Sequence, residues 1–230
     1  EKLGWNVSGG GAGPDFKVES KAGTVLVEAT VPSPDGIPAD WLEPKPGVVR
    51  DFPHKEILLR WTSKLADKRK KHLDDIAKGA AAADVPFVIA INSRRLGHAP
   101  DENGISGWPF AVEATFPIGP LAVPVNAETG EFGESYQSLR FTIPKKPGVD
   151  VPTGNFLDPD YKCVSGLIGC PAWYSDDATL AMFAGQPPYF VVRNPLATNP
   201  LPANWLAGSI EYAATQTAPD EYTLTKPERP

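Results

Sequence analysis

The run Pro86-Phe87-Val88-Ile89-Ala90-Ile91-Asn92 has no polar residue at alternate positions. A strand with one face in water alternates apolar and polar side chains; a short continuous apolar run fits a strand covered on both faces. Such a strand needs neighbours on both edges and a covering layer, so it predicts a parallel or mixed sheet. Immediately upstream, His54 to about Lys78 has helical periodicity, closed by Gly79 and an alanine run. Further upstream, Asp15 to Ser20 alternates, Lys21-Ala22-Gly23 is a tight turn, and Thr24 to Val31 is a β-branched run. These two segments predict an antiparallel hairpin. The order strand, strand, helix, strand predicts an α/β fold, because a helix crossing back to a buried strand packs on a mixed or parallel sheet. Leu3 to Val7 reads as the end of an earlier element, Ser8 to Gly13 as a flexible turn, and Pro32 to Val49 as a surface connection.

Beyond Asn92 the signals weaken. Arg94 to Pro109 reads as loop and Ala111 to Thr115 as ambiguous. Val123 to Asn126, with Ala127 to Gly130 as a turn, suggests a hairpin. Ser138 to Ile143, Cys163 to Ile168 and Tyr189 to Arg193 read as strands, Pro202 to Leu206 as a short helix, and the last fifteen or so residues as a polar tail. The expected organisation is a core over about residues 1–98 and a β-rich, proline-rich extension over 99–230 packed on it, one structural domain overall. The 26 prolines and 21 glycines agree with a large share of loop, turn and edge. No internal repeat is visible.

At 41% hydrophobic and 22% charged residues the 230-residue chain belongs with globular rather than disordered sequences. No apolar run approaches the ~20 residues of a spanning helix, so no membrane partner is expected. The chain opens on Glu1 without a signal-peptide pattern, and an upstream segment is expected. Cys163 and Cys170 make neither a disulfide framework nor a zinc site. Buried thiols are expected, with a single disulfide as the alternative, and a reducing cytoplasm as the compartment. The net charge of −6 counts against a dedicated nucleic-acid binder, which is usually basic. Contact with DNA would need a local basic patch.

Within Thr24 to Val31, side chains at Val25, Val27, Ala29 and Val31 share one face, and Thr24, Leu26, Glu28 and Thr30 the other. A glutamate in so apolar a strand is costly to bury without a partner or a metal. Either the strand is an edge with Glu28 in water, or Glu28 is buried and paired. On the helix, Ile57, Leu58, Trp61, Leu65 and Ile76 form the apolar stripe, and Lys68 and His72 fall in its middle. An inward lysine needs a carboxylate, an anion or a route to water. Glu28 is the candidate partner; the alternative is that Lys68 snorkels to solvent and His72 is a core histidine. Lys64, Arg69, Lys70 and Lys71 lie at the stripe's edges or outside it.

Pro14-Asp15-Phe16, a turn, and Val27-Glu28-Ala29-Thr30 resemble the PD-(D/E)XK signature of restriction-endonuclease-like nucleases. Lys68-Arg69-Lys70-Lys71-His72 resembles the Q-x-x-x-Y type helix of several branches of that superfamily, with Lys for Gln and His for Tyr. Together with Arg60, the run at 86–92, Val164-Ser165-Gly166, Asn194-Pro195-Leu196-Ala197 and Pro200-Leu201, the ordered set is similar to a bacterial group carrying this core. The resemblance implies a restriction-endonuclease-like mixed sheet flanked by helices and a Mg²⁺-dependent (or Mn²⁺-dependent) endonuclease, a hydrolase of DNA phosphodiesters in a bacterial defence or mobile-element setting. By carry-over, Asp15 and Glu28 would be metal ligands, Lys68 would orient the attacking water, and His72, Lys64 and Arg60 would support it or contact phosphate. One position departs from the pattern: Thr30 stands where the motif's lysine usually does. Either the lysine has migrated to Lys68 (or Lys64) on the helix, or the site is impaired and the chain is a nuclease-like module binding DNA, RNA or a protein partner. A third carboxylate would come from a helix upstream.

Other motifs are thin. No phosphate-binding P-loop occurs, and no helix pattern follows SGGGAG. His54, His72 and His98 lack metal-ligand spacing, and Ser165 lacks a nucleophile elbow. The pairs Asp158/Asp160 and Asp176/Asp177 read as solvated turn residues rather than calcium ligands.

Overall fold

A computed structural model describes the chain except for residues 1–3, 10, 44, 98–103, 171–188, 220 and 226–230. The readings at Glu1, His98 and Asp176/Asp177 therefore lie outside the described residues. The fold is mixed α/β, built on a large mixed sheet with few helices.

Strands β1 (Asn6–Gly9), β2 (Phe16–Ser20) and β3 (Gly23–Thr30) form an antiparallel meander. After a four-residue helix, α1 (Ala39–Leu42), the long helix α2 (His54–Ala77) carries the chain across to β4 (Phe87–Asn92), which pairs parallel to β3. The helix stops where Gly79 takes φ +71°, a conformation glycine adopts without steric cost. Ile57, Leu58, Trp61 and Leu65 are buried along α2 and belong to one core with Phe87, Ile89 and Ile91 of β4. Val88 points the other way, into a second cluster with Val18, Val25, Val27, Leu201 and Trp205. The apolar run of β4 is thus covered on both faces, as its composition requires.

The segment between β4 and the next sheet strand is an insertion. It holds the short helix α3 (Phe110–Glu113) and two small antiparallel pairs, β5 (Ile118–Ala122) with β6 (Tyr136–Leu139) and β7 (Thr142–Lys146) with β8 (Val149–Pro152). The sheet resumes with β9 (Gly166–Cys170), parallel to β4, then β10 (Phe190–Arg193), antiparallel to β9. It ends with β11 (Ile210–Ala218), parallel to β10, and β12 (Glu221–Thr225), antiparallel to β11. The spatial order is β1-β2-β3-β4-β9-β10-β11-β12. The expected boundary near residue 98 therefore falls within one continuous sheet.

Four expectations need correction. Within the expected polar tail, Glu221–Thr225 form a strand paired with β11 at the sheet edge, its exposed and half-buried side chains alternating. Residues 202–206 form turns rather than a helix; Asn204 at φ 51° lies in the left-handed region, outside helical geometry. Residues 138–143 do not form one strand but split between β6 and β7. Cys163 and Cys170 are thiols, each half-buried rather than buried, and burial pushes the Cys163 thiol pKa up.

Candidate functional site

Glu28 faces α2 from β3 and is 2% exposed. Its two oxygens are taken by two lysines of α2, one turn apart. Lys68 Nζ donates to Oε1 at 2.7 Å, and Lys71 Nζ to Oε2 at 2.9 Å. The ammoniums are not equivalent. Lys71 also donates to Gly13 O at 2.9 Å and to Asp75 Oδ2 at 3.1 Å, which uses all three of its N–H groups. Its pKa feels burial, which lowers it, but the bonds and charges of Glu28 and Asp75 win and raise it. Lys68 makes one bond to protein among the described residues, its side chain 21% exposed, so two of its donors remain for solvent or a ligand.

Asp15 lies one step beyond the Phe16–Val27 pair, at the position opposite Glu28. It is exposed, and its Oδ2 accepts the Ala29 N–H at 2.8 Å. Gly13 lets this turn lie across the end of α2. It has φ +112°, and a Cβ there would sit 2.3 Å from Ala80 O. The turn, the strand carboxylate and the helix lysines are thereby tied together through Lys71.

The remaining candidates are placed differently. His72 is buried and stacks on Phe87, ring centroids 3.6 Å apart and planes 1° from parallel. Its Nδ1 has no partner among the described residues. Burial is the main cause that lowers its pKa to about 4, so the ring is neutral near pH 7. A neutral core ring does not fit the expected phosphate contact; it packs behind the lysines. Lys64 pairs with Asp67 at 3.9 Å, and Arg60 extends beside Gly36; neither bonds to Glu28. Thr30 is half-buried at the end of β3.

A second polar cluster was not foreseen. Glu113 of α3 is 0% exposed. Its Oε2 accepts from His54 Nε2 at 2.5 Å and from an Arg140 guanidinium nitrogen at 2.9 Å. Its Oε1 accepts from Ser106 N at 3.0 Å and from the Ser106 hydroxyl. Burial raises the Glu113 pKa, but the bond and charge of His54 and the two Ser106 donors outweigh it and hold the carboxyl below its usual range. This cluster joins the first turn of α2 to the insertion. Its only trace in the sequence is an acidic residue between apolar ones in Phe110-Ala111-Val112-Glu113.

Among the described residues, no group of three or more His, Cys, Asp or Glu side chains could hold a metal, and no helix is long and apolar enough to cross a membrane. Comparison with family models, curated proteins and solved structures finds no match.

Proposed function

We propose that the chain is a restriction-endonuclease-like hydrolase of DNA phosphodiesters, with Asp15, Glu28 and Lys68 as its working residues. The observation carrying this reading is the 2.7 Å pairing of Lys68 with a buried Glu28, with Asp15 at the position opposite. A helix lysine in that place supplies the cation that Thr30 cannot. The donor chemistry fits Mg²⁺ (or Mn²⁺), a hard cation that takes one or two carboxylates and keeps several waters. Asp15 and Glu28 would hold the ion once one lysine yields a Glu28 oxygen; when bound, it would acidify a water and offset phosphate charge. Lys68, with two uncommitted donors, would orient that water and steady charge developing on the phosphate. Lys71, saturated by three acceptors, would keep Glu28 and the Gly13 turn in place.

The test is incubation with linear, circular and single-stranded DNA, and with RNA, in Mg²⁺ or Mn²⁺. Cleavage of DNA is expected, reduced ~10²-fold or more in Glu28→Gln and Lys68→Ala. A melting curve of each variant checks folding. Undiminished cleavage by folded Glu28→Gln would sink the assignment.

A second reading has its own support. Both Glu28 oxygens already carry an ammonium, and Asp15 is engaged with Ala29 N–H. A chain that keeps these bonds in Mg²⁺ would be a nuclease-like module that binds nucleic acid or a protein without cutting. Binding of DNA without cleavage, unaffected by Mg²⁺, is its signature.

A further inference from the structure

We propose that the β5–β6 hairpin is a docking arm for a protein whose contact surface is apolar and rimmed by lysine or arginine. This inference is independent of the nuclease reading.

The arm leaves the body at Gly119. From Pro120 to Tyr136 every residue is exposed except the half-buried Ala122. Leu121 lies in β5, and Val123 and Val125 follow it along the same side of the hairpin. Leu121 pairs with Gln137, two residues from Leu139, and Val125 bridges to Phe132. The arm thus presents two pairs of cross-strand apolar neighbours, Leu121 beside Leu139 and Val125 beside Phe132. The exposures of Leu121, Val125, Phe132 and Leu139 are 62%, 54%, 77% and 66%. Single exposed apolar residues are ordinary, but two exposed apolar pairs on one hairpin mark an interaction site. A two-stranded hairpin is also marginal by itself in water, so covering these pairs would stabilise the arm.

Charge selects the occupant. Between Ile118 and Leu139 there are three glutamates, Glu128, Glu131 and Glu134, and no lysine or arginine. Exposed Phe132 and Tyr136 could stack on unpaired bases. Nucleic acid nevertheless needs cations along its backbone, and this arm would repel phosphate. A second arm is disfavoured for the same reason, because pairing would bring like charges together. An apolar cleft edged by basic residues satisfies both features, with Phe132 as the aromatic anchor.

The full chain is titrated, by fluorescence anisotropy, against three labelled probes: a peptide of alternating Lys and Leu, the same peptide with Glu for Lys, and an oligo-dT strand. The variants are Val125→Ser/Phe132→Ser and Glu128→Gln/Glu131→Gln/Glu134→Gln. The cationic peptide is expected to bind wild type, and about tenfold or more weakly to each variant, as for loss of an anchor. Melting temperatures should be unchanged, since the replaced side chains are exposed. The acidic peptide and oligo-dT should not bind. The proposal is overturned by absent cationic binding, by equal binding of the acidic peptide, or by an affinity indifferent to Val125→Ser/Phe132→Ser. Arm-dependent oligo-dT binding, or an arm-dependent dimer in light scattering, overturns it equally.

Discussion

At Glu28, removing charge from water is offset only because two ammoniums share one carboxylate. The pairing is redundant, which gives a measurable non-additivity. Lys68→Met or Lys71→Met alone leaves Glu28 with one partner and should cost ~1–2 kcal/mol. The double replacement strands a buried charge and should cost ~3–5 kcal/mol or more, exceeding the sum of the singles. Urea unfolding of the four proteins in the cycle checks this. His72 gives a pH prediction of definite sign. Its folded pKa of about 4 lies below the ordinary 6.5, so the unfolded chain binds the extra proton between those values. The neutral ring's contribution is therefore complete above about pH 6.5 and falls away toward pH 4, by up to about 3 kcal/mol. His72→Phe keeps the stack on Phe87 and should flatten that part of the stability profile. Helical spacing put Lys68 and His72 on the inner face from the sequence alone. Lys71 was missed because it sits at the edge of the apolar stripe and reaches inward along its flexible stem.

At the scale of elements, α2 is held at both ends by polar clusters of different legibility. The Glu28 end could be read because α2 and β3 each have a strong period that fixes which way side chains point. The Glu113 end could not. A four-residue helix is too short to show periodicity, and its partners Ser106, His54 and Arg140 come from three separate places in the chain. Glu113→Gln should cost ~3–5 kcal/mol, because it leaves buried donors facing a neutral amide. Since the carboxyl is held below its usual range, that stabilisation is present above the unfolded value of ~4.3 and lost as the pH falls through the folded one. Glu113→Gln should therefore unfold with a shallower acid limb than wild type, read by circular dichroism across pH 3 to 7.

Over the whole molecule, the sheet draws β1 to β4 from the first part of the chain and β9 to β12 from the rest. Strands β2, β3 and β4 were legible because they carry unbroken β patterns around a long helix; β1 was not, since its Ser8 and Gly9 belong to a stretch that reads as a flexible turn. The last two were not: most of β11 went unread and β12 lies in the polar last fifteen or so residues that read as a tail, since a half-exposed edge strand needs little apolar content. Their removal should be severe. Truncation after Ser209 bares the β10 edge and removes the packing of Tyr212 against Phe190 (ring centroids 6.4 Å apart). The truncated chain should aggregate or melt well below the full chain, checked by size exclusion and thermal unfolding.

Strand β4 lies between β3 and β9, and Val88 pairs with Gly166 only after the whole insertion has been traversed. Until that late segment arrives, the most apolar strand of the chain has one bare edge. Pairings this distant in sequence must close large loops before any contact rewards them, which slows the search for the native state. During synthesis the early meander and α2 emerge first and wait, so the interval before Gly166 leaves the ribosome is when the chain is most open to wrong partners.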